Sequence, residues 1–187
     1  RSGLERITYA LLIILTATMT GWVTALVCRF QPADFVALQI DTGMMIILRL
    51  ITSFFGVYGF SLMFNSPRKM AMTAGLIGMF ANTLRLELID LAHFPVGIAA
   101  FIGAFFTGCV ASIVKKKIGY PRISLTVPAI VIMVPGLYMY RGIYYIGLNE
   151  IGDGSLWLTK AILIVMALPM GLVAARLCTD KNFRHCT

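Results

Sequence analysis

The sequence predicts an all-α fold, a polytopic bundle of about six transmembrane helices. Of the 187 residues, 59% are hydrophobic and only 13% are charged, which is about half the charged share of a soluble domain. Several apolar stretches are longer than the ~18 residues that indicate a transmembrane helix. These stretches do not alternate between apolar and polar residues, so helices are favoured over a β-barrel. The composition excludes a soluble enzyme, a disordered tail and a nucleic-acid-binding domain.

Six stretches of the chain are predicted to span the membrane. Each is rich in aliphatic and aromatic residues and is long enough to cross a bilayer, which takes about 20 residues of helix. Polar or charged residues separate one stretch from the next. The predicted spans are residues 7–28, 42–64, 70–91, 94–114, 123–148 and 156–178.

Two spans carry small or polar stripes at helical spacing. In the first span Thr16, Thr20 and Thr24 recur every four residues. This stripe could line a pathway or contact a neighbouring helix, and packing is favoured. In the fourth span the small residues allow another helix backbone to approach closely, which is a structural role. That second stripe consists of Ala100, Gly103, Ala104, Thr107, Gly108 and Ala111.

The fifth span is predicted to be a discontinuous helix. Its 26 residues exceed the ~20 that a straight span needs. Pro128 and Pro135 each lack the N–H group for one helical hydrogen bond. The carbonyl groups four residues earlier, on Ser124 and Val131, are therefore free, and free carbonyls at membrane depth are tolerated only inside protein or beside a watery cavity. We predict a break at Pro128 and at Pro135-Gly136 that forms part of a substrate site, in preference to a packing kink.

The distribution of basic residues predicts the orientation. The predicted N-terminal segment, the second and fourth connections and the C-terminal tail, counted with Arg176 near the end of the sixth span, hold 11 of the 16 basic residues and two of the eight acids. Apart from Arg176, the opposite side and the spans together hold five basic residues and six acids. Basic residues concentrate on the cytoplasmic side of a membrane protein. Both termini are therefore predicted to be cytoplasmic, and the net charge of +8 is a topology signal rather than a sign of a nucleic-acid partner.

Charged and amide side chains within the spans are costly in lipid and usually mark a functional site. At a rise of ~1.5 Å per residue, the outer half of the membrane contains Arg49, Asn82, Arg85 and Arg141, and the acids Glu87 and Asp90 lie nearer the outer surface. Guanidinium groups bind carboxylates with two parallel hydrogen bonds. We predict that a substrate carboxylate is bound by Arg49, Asn82, Arg85 and Arg141 together with the break at Pro135 and Gly136, and that Glu87 or Asp90 carries a coupling proton.

Structural roles compete with these assignments. Arg85 and Arg141 could extend their charged heads to the outer interface, as Lys160 is expected to do. Glu87 and Asp90 could simply end the third span. Arg49 lies deepest within its span, so a functional role and a structural role are evenly balanced there.

The first and sixth spans resemble each other. The chain reads GLERITYALLI near Gly3 and GSLWLTKAILI near Gly154. The charge assignment orients these two spans in opposite directions, as inverted repeats require.

Several short motifs are similar to those of a known family. They are FNSPRK at 64–69, Tyr120-Pro121-Arg122, Val127-Pro128-Ala129, Val134-Pro135-Gly136, the GDG of 152–154, and Gly171. In these residues, over about 50–178, the chain resembles the second, C-terminal domain of the threonine/serine exporter family. It is also similar to the small subunit of the two-subunit succinate-exporting branch. The family's Pro-Leu-Val-Pro-Gly run is Val-Ile-Met-Val-Pro-Gly here, so only the Pro-Gly pair is retained.

The resemblance implies a bacterial inner-membrane carrier made of two five-helix domains, fused or separate. Its substrates would be small hydroxy amino acids or dicarboxylates, exported at the expense of the proton gradient. Residues 1–40 would hold the last helix of the first domain with an outer loop, and residues 41–187 would form the five-span second domain. The expected partners are the lipid bilayer, the small carboxylate substrate, the missing first-half domain or subunit, and further copies in an oligomer.

Two other classes of function are considered. A non-transporting scaffold or regulatory subunit of a transport complex is the main alternative. A membrane-embedded enzyme ranks third, since no nucleophile–base pair is apparent. Four cysteines and two histidines show no metal-ligand spacing, so neither a cofactor nor a metal ion is expected.

Overall fold

The computed structural model describes residues 2–29 and 40–180, and within these ranges every regular element is an α-helix. The prediction of an all-α fold is confirmed. The chain divides into two compact units, Arg1–Gln39 and Ile40–Thr187. The first contains α1 (Ser2–Val27), and the second contains α2 (Thr42–Met63), α3 (Arg68–Asp90), α4 (Val96–Ile118), α5 (Arg122–Val131), α6 (Gly136–Gly147) and α7 (Ile151–Thr179).

The threonine stripe of α1 satisfies its own hydrogen-bond donors. The hydroxyl groups of Thr16, Thr20 and Thr24 each donate to the carbonyl oxygen four residues earlier, and Thr8 does the same. This local bonding is common for threonine within apolar helices. None of these hydroxyl donors therefore needs a partner on another helix.

Four helical segments in the described part of the chain are long and apolar enough to cross a membrane. They are Thr42–Met63, Val96–Ile118, Arg122–Gly147 and Ile151–Thr179. The first and third of the six predicted spans correspond to α1 and α3, which are not among these four, so the count of six stays a prediction. In α3 the cause is plain, because its C-terminal half carries an amide and three charged side chains.

The position of α3 explains how it accommodates those polar groups. It packs against α2, α4 and α5, and one continuous face of it is buried, from Met70 to Thr83. Its N-terminal half contributes to a core with Val57 and Leu125, and its C-terminal half to a second core with Ala104 and Met133. A helix face that packs against protein can carry polar side chains that lipid would exclude.

The contact between α4 and α7 depends on small residues. All six members of the predicted small-residue stripe are buried in α4, which confirms its packing role. A Cβ atom on Gly171 of α7 would lie 2.5 Å from the carbonyl oxygen of Phe101, and one on Gly108 of α4 would lie 2.5 Å from the Cβ of Ala175. Only hydrogen at these positions allows the two backbones to approach this closely.

The fifth span is divided, and the break is narrower than predicted. α5 ends at Val131 and α6 begins at Gly136, so the break lies at Pro135-Gly136. Pro128 lies buried inside α5 and does not interrupt it. The helix tolerates Pro128 because the missing N–H deprives only the Ser124 carbonyl of its partner, and Ser124 and Pro128 both line a cavity of about 200 Å³.

Candidate functional site

The break between α5 and α6 is a compact turn whose backbone groups are largely paired. The N–H groups of Met133 and Val134 donate to the carbonyls of Ile130 and Val131 at 2.9 and 3.1 Å. Pro135, with φ −80° and ψ 51°, is the centre of an inverse γ-turn. In this turn the Gly136 N–H donates to the Val134 carbonyl at 2.8 Å. Pro135 has no N–H group to donate to the carbonyl of Val131. The N–H of Val134 donates to that carbonyl instead.

Arg85 of α3 reaches across to this turn. Its Nη1 donates to the carbonyl oxygen of Met133 at 2.9 Å. Its Nε is buried and has no hydrogen-bond partner. The absence of a side chain on Gly103 permits this approach, because a Cβ there would lie 3.3 Å from the Cβ of Arg85 and 3.4 Å from the Met133 sulfur. The turn is thus held against α3 by a cation that retains an unused donor.

Asn82 lies one turn before Arg85 and faces α2. Its Nδ2 donates to the Oγ of Ser53 at 2.9 Å, and both residues are buried, with 6% and 2% of their surfaces exposed. The Oδ1 of Asn82 has no partner. A buried amide oxygen without a donor costs about 1–3 kcal/mol, so this atom is available to accept from a ligand or a water molecule.

A three-residue ionic cluster joins the N-terminal half of α2 to the C-terminal end of α3. Arg49 donates from Nη1 to the Oε1 of Glu87 at 2.7 Å and from Nη2 to the Oδ2 of Asp90. Glu87 is about one-fifth exposed and Asp90 about half exposed. The cluster combines one positive and two negative formal charges, so Arg49 is already occupied by carboxylates of the protein itself.

Arg141 lies apart from these groups, at the contact of α6 with α7. Its guanidinium carbon is 4.8 Å from the centroid of the Trp157 ring. The Nζ of Lys160 lies 5.0 Å from the same centroid. Tyr138 also packs against Trp157, with ring centroids 5.5 Å apart. The α6–α7 contact is close here because Gly142 and Gly154 lie against each other.

The structure therefore separates the predicted site residues into three groups. Arg85 meets the break, Arg49 pairs with Glu87 and Asp90, and Arg141 stacks on an indole. Their assignment to a substrate carboxylate or a coupling proton stays a prediction.

Sequence reasoning missed four participants, which are Ser53, Met133, Trp157 and Lys160. Helical spacing could have revealed Ser53, because Arg49, Ser53 and Ser61 lie on one face of α2 at intervals of four and eight residues. The Met133 contact is a backbone carbonyl, which no residue type indicates.

No group of three or more His, Cys, Asp and Glu side chains in the described residues is arranged to hold a metal ion.

A protein-family model described as "Threonine/Serine exporter, ThrE" matches residues 49–178, which cover α2 from Arg49 onward and nearly all of α3 to α7. No curated protein and no solved structure gives a significant match to the chain.

Proposed function

The chain belongs to the threonine/serine exporter family, and we propose that it exports small carboxylate-bearing metabolites in exchange for protons. This family comprises membrane exporters and not enzymes. The proposed substrates are threonine, serine or a dicarboxylate, and the proposed location is the bacterial inner membrane, with both termini in the cytoplasm. The observation that most supports a transport site is the meeting of Arg85 with the helix break at Met133.

Arg85 is the proposed ligand of the substrate carboxylate. A carboxylate could take the place of the Met133 carbonyl and accept from both Nε and an Nη group, which is the preferred geometry of guanidinium–carboxylate pairs. The free Oδ1 of Asn82, one helical turn away, would accept from a hydroxyl or ammonium group of the same solute. Loss of the Arg85–Met133 bond would release the turn, so substrate binding and movement of α6 would be linked.

Glu87 and Asp90 are the proposed proton carriers. Two carboxylates share one guanidinium, so protonation of either still leaves Arg49 paired with the other. Intramembrane acids in such clusters are typical proton relays of transporters. Under this proposal Arg49 positions the two acids rather than binding the substrate.

The proposed partner is the first-half domain or subunit of the exporter. The motifs over about 50–178 resemble those of the family's second domain, and α1 belongs to a compact unit of its own. A carrier with inverted repeats places its substrate site at the interface of the two halves. The break and Arg85 would then form one side of that site.

Counterflow in proteoliposomes tests the proposal. The chain would be reconstituted alone and with its first-half partner, and labelled threonine, serine and succinate would be offered in turn. We expect uptake only with both halves present. An imposed proton gradient should drive uphill export by the same liposomes. The double change Glu87→Gln with Asp90→Asn should abolish this gradient-driven export while counterflow continues.

The scaffold or regulatory subunit is the alternative that this experiment can reveal. The occupied state of Arg49 favours it, because a satisfied ionic cluster is also what a purely structural role requires. Its signature would be transport by the partner alone, with substrate affinity unchanged by Arg85→Gln. Uptake that is the same with and without this chain would reject the export proposal.

A further inference from the structure

The group formed by Arg141, Trp157 and Lys160 has no part in the site proposed above. Both cations lie within 5.0 Å of the centroid of one indole ring, and all three residues are half-buried. Among the residues that the structure describes, neither cation forms an ion pair with an acid. The nearest acids along the chain, Glu150 and Asp153, are exposed and precede Trp157 by seven and four residues.

The group faces the interior side of α7. Trp157 lies on the same helical stripe as Ala161, Ile164 and Leu168, the last two of which pack against Ala100 and Ala104 of α4. A Cβ atom on Gly97, the second residue of α4, would lie 3.5 Å from the Cβ of Leu163. Trp157 and Lys160 therefore lie beyond the level at which α4 begins, toward the outer end of the bundle.

The cation–π arrangement leaves the hydrogen-bond donors of both cations available. A guanidinium or ammonium group over an aromatic face is attracted by the ring and keeps its N–H groups free for an anion. Because no acid among the described residues pairs with them, the two neighbouring positive charges favour a ligand that carries two anionic groups over a ligand that carries one. An ammonium group would be repelled, so a zwitterionic amino acid fits less well than a dicarboxylate.

We propose that Arg141 and Lys160, both packed against the ring of Trp157, form a second binding site for a small carboxylate, and that this site prefers a dianion. It lies outward of the Arg85 site along the same bundle. The role of this site in export rests on the proposed function. In that role it is an outer position that the carboxylate occupies as it is exported. The binding itself does not depend on transport.

Trp157 provides the test, because the chain contains only two tryptophans and Trp22→Phe leaves Trp157 as the single fluorophore. The purified full chain carrying this change would be titrated in detergent with succinate, threonine, inorganic phosphate and phosphatidylglycerol micelles. We expect a saturable change in Trp157 emission with succinate, and an affinity for threonine that is weaker by about tenfold because of its ammonium group.

Variants of the two cations separate the site from a general effect of charge. Arg141→Gln should weaken succinate binding by about tenfold, and the double change Arg141→Gln with Lys160→Gln should abolish the response. Lys160→Arg should retain it. The matched control is Lys115→Gln with Lys116→Gln, which removes the same charge from exposed positions at the other end of α4 and should leave binding unchanged.

Three outcomes would overturn this inference. They are no saturable response to succinate, a response that survives in the double variant, and a response to phosphatidylglycerol that exceeds that to succinate. Failure of the exporter proposal is distinguishable, since a chain that binds succinate at Trp157 yet shows no counterflow has the site without the transport.

Discussion

The contact of α4 with α7 and the contact of α2 with α3 differ in the side chains that form them. α4 meets α7 through glycine and alanine, and the hydroxyls of Thr107 and Ser112 are bonded to carbonyls of their own helix. α2 meets α3 partly through close packing, since Gly75 and Gly78 of α3 lie against side chains of α2. Polar groups also meet there, and the amide of Asn82 is only partly paired. In the described residues, every buried side-chain nitrogen or oxygen without a partner belongs to these two helices, namely Ser61 Oγ, Asn82 Oδ1, Thr83 Oγ1 and Arg85 Nε.

This difference indicates which region holds the bundle together and which can change. A close contact of small residues has one good arrangement, because any displacement loses packing on both sides. An unpaired buried donor or acceptor costs about 1–3 kcal/mol, and a rearrangement or a ligand that pairs it recovers that cost. The α4–α7 contact is thus suited to keep a single arrangement. The α2–α3 contact, together with the break between α5 and α6, is suited to bind a ligand.

The largest effect is expected from removing the cation at the break. Arg85→Gln should lower counterflow by about 100-fold, because the carboxylate loses its charged, two-pronged partner. The bundle should still fold, since Gln can donate to the Met133 carbonyl. Arg68→Gln, the same change at an exposed position on the same helix, should transport normally. Counterflow rates of the two purified variants, compared at equal protein content, provide the measurement.

An equal loss in both variants would mean that charge in α3 matters for insertion rather than for the solute. Wild-type transport by Arg85→Gln would remove the central element of the proposed site.

The next largest effect is expected at the contact of α4 with α7. Gly171→Ala places a methyl group 2.5 Å from the Phe101 carbonyl oxygen and 2.9 Å from the Cβ of Ala104. Both neighbours must move, which should cost about 2 kcal/mol of the free energy of unfolding. Gly152→Ala is the matched control in the same helix, because no atom lies within 4 Å of its new Cβ. Unfolding in mixed micelles with increasing dodecyl sulfate should separate the two variants.

If Gly171→Ala is as stable as Gly152→Ala, then α4 and α7 can slide past each other at little cost. The distinction between a fixed and a changeable region would then be lost.

The two regions were not equally predictable from the sequence. The small-residue stripe of α4 was predicted in full, because close packing requires residue types that helical spacing reveals. The break at Pro135-Gly136 was also predicted, since proline has a strong local effect on the backbone. Pro128 has the same chemistry and stays within α5, because a helix can continue past a proline that removes only one of its hydrogen bonds.

Partners across helices were less predictable. Glu87 and Asp90 were assigned to protons and Arg49 to a substrate, and their pairing with each other depends on the rotation of α2 against α3. The meeting of Arg85 with a backbone carbonyl depends on the path of the turn. Trp157 and Lys160 come together with Arg141 only through the approach of Gly142 to Gly154, which spacing along one helix does not show.

A smaller effect is expected from restoring the helix at the break. Pro135→Ala combined with Gly136→Ala returns an N–H donor to position 135 and removes a flexible residue, so α5 can continue into α6. The Met133 carbonyl would then be drawn into a helical bond and lost to Arg85. We expect counterflow to fall by about tenfold with normal membrane insertion. Wild-type counterflow by this double variant would show that the interrupted backbone is dispensable for transport.

The smallest effect compares two buried hydroxyl groups directly. Ser61→Ala removes a hydroxyl that has no partner, so the free energy of unfolding should stay the same or rise by up to about 1 kcal/mol. Ser112→Ala is its counterpart in α4, where the hydroxyl donates to the Gly108 carbonyl at 2.8 Å and lies 2.9 Å from the Thr179 hydroxyl. That change should lower stability by about 1 kcal/mol, because Thr179 loses a partner. Opposite changes in the free energy of unfolding of the two variants would support an α2–α3 contact that is incompletely paired. Equal losses would mean that Ser61 has a partner in the folded protein and that the two contacts are alike.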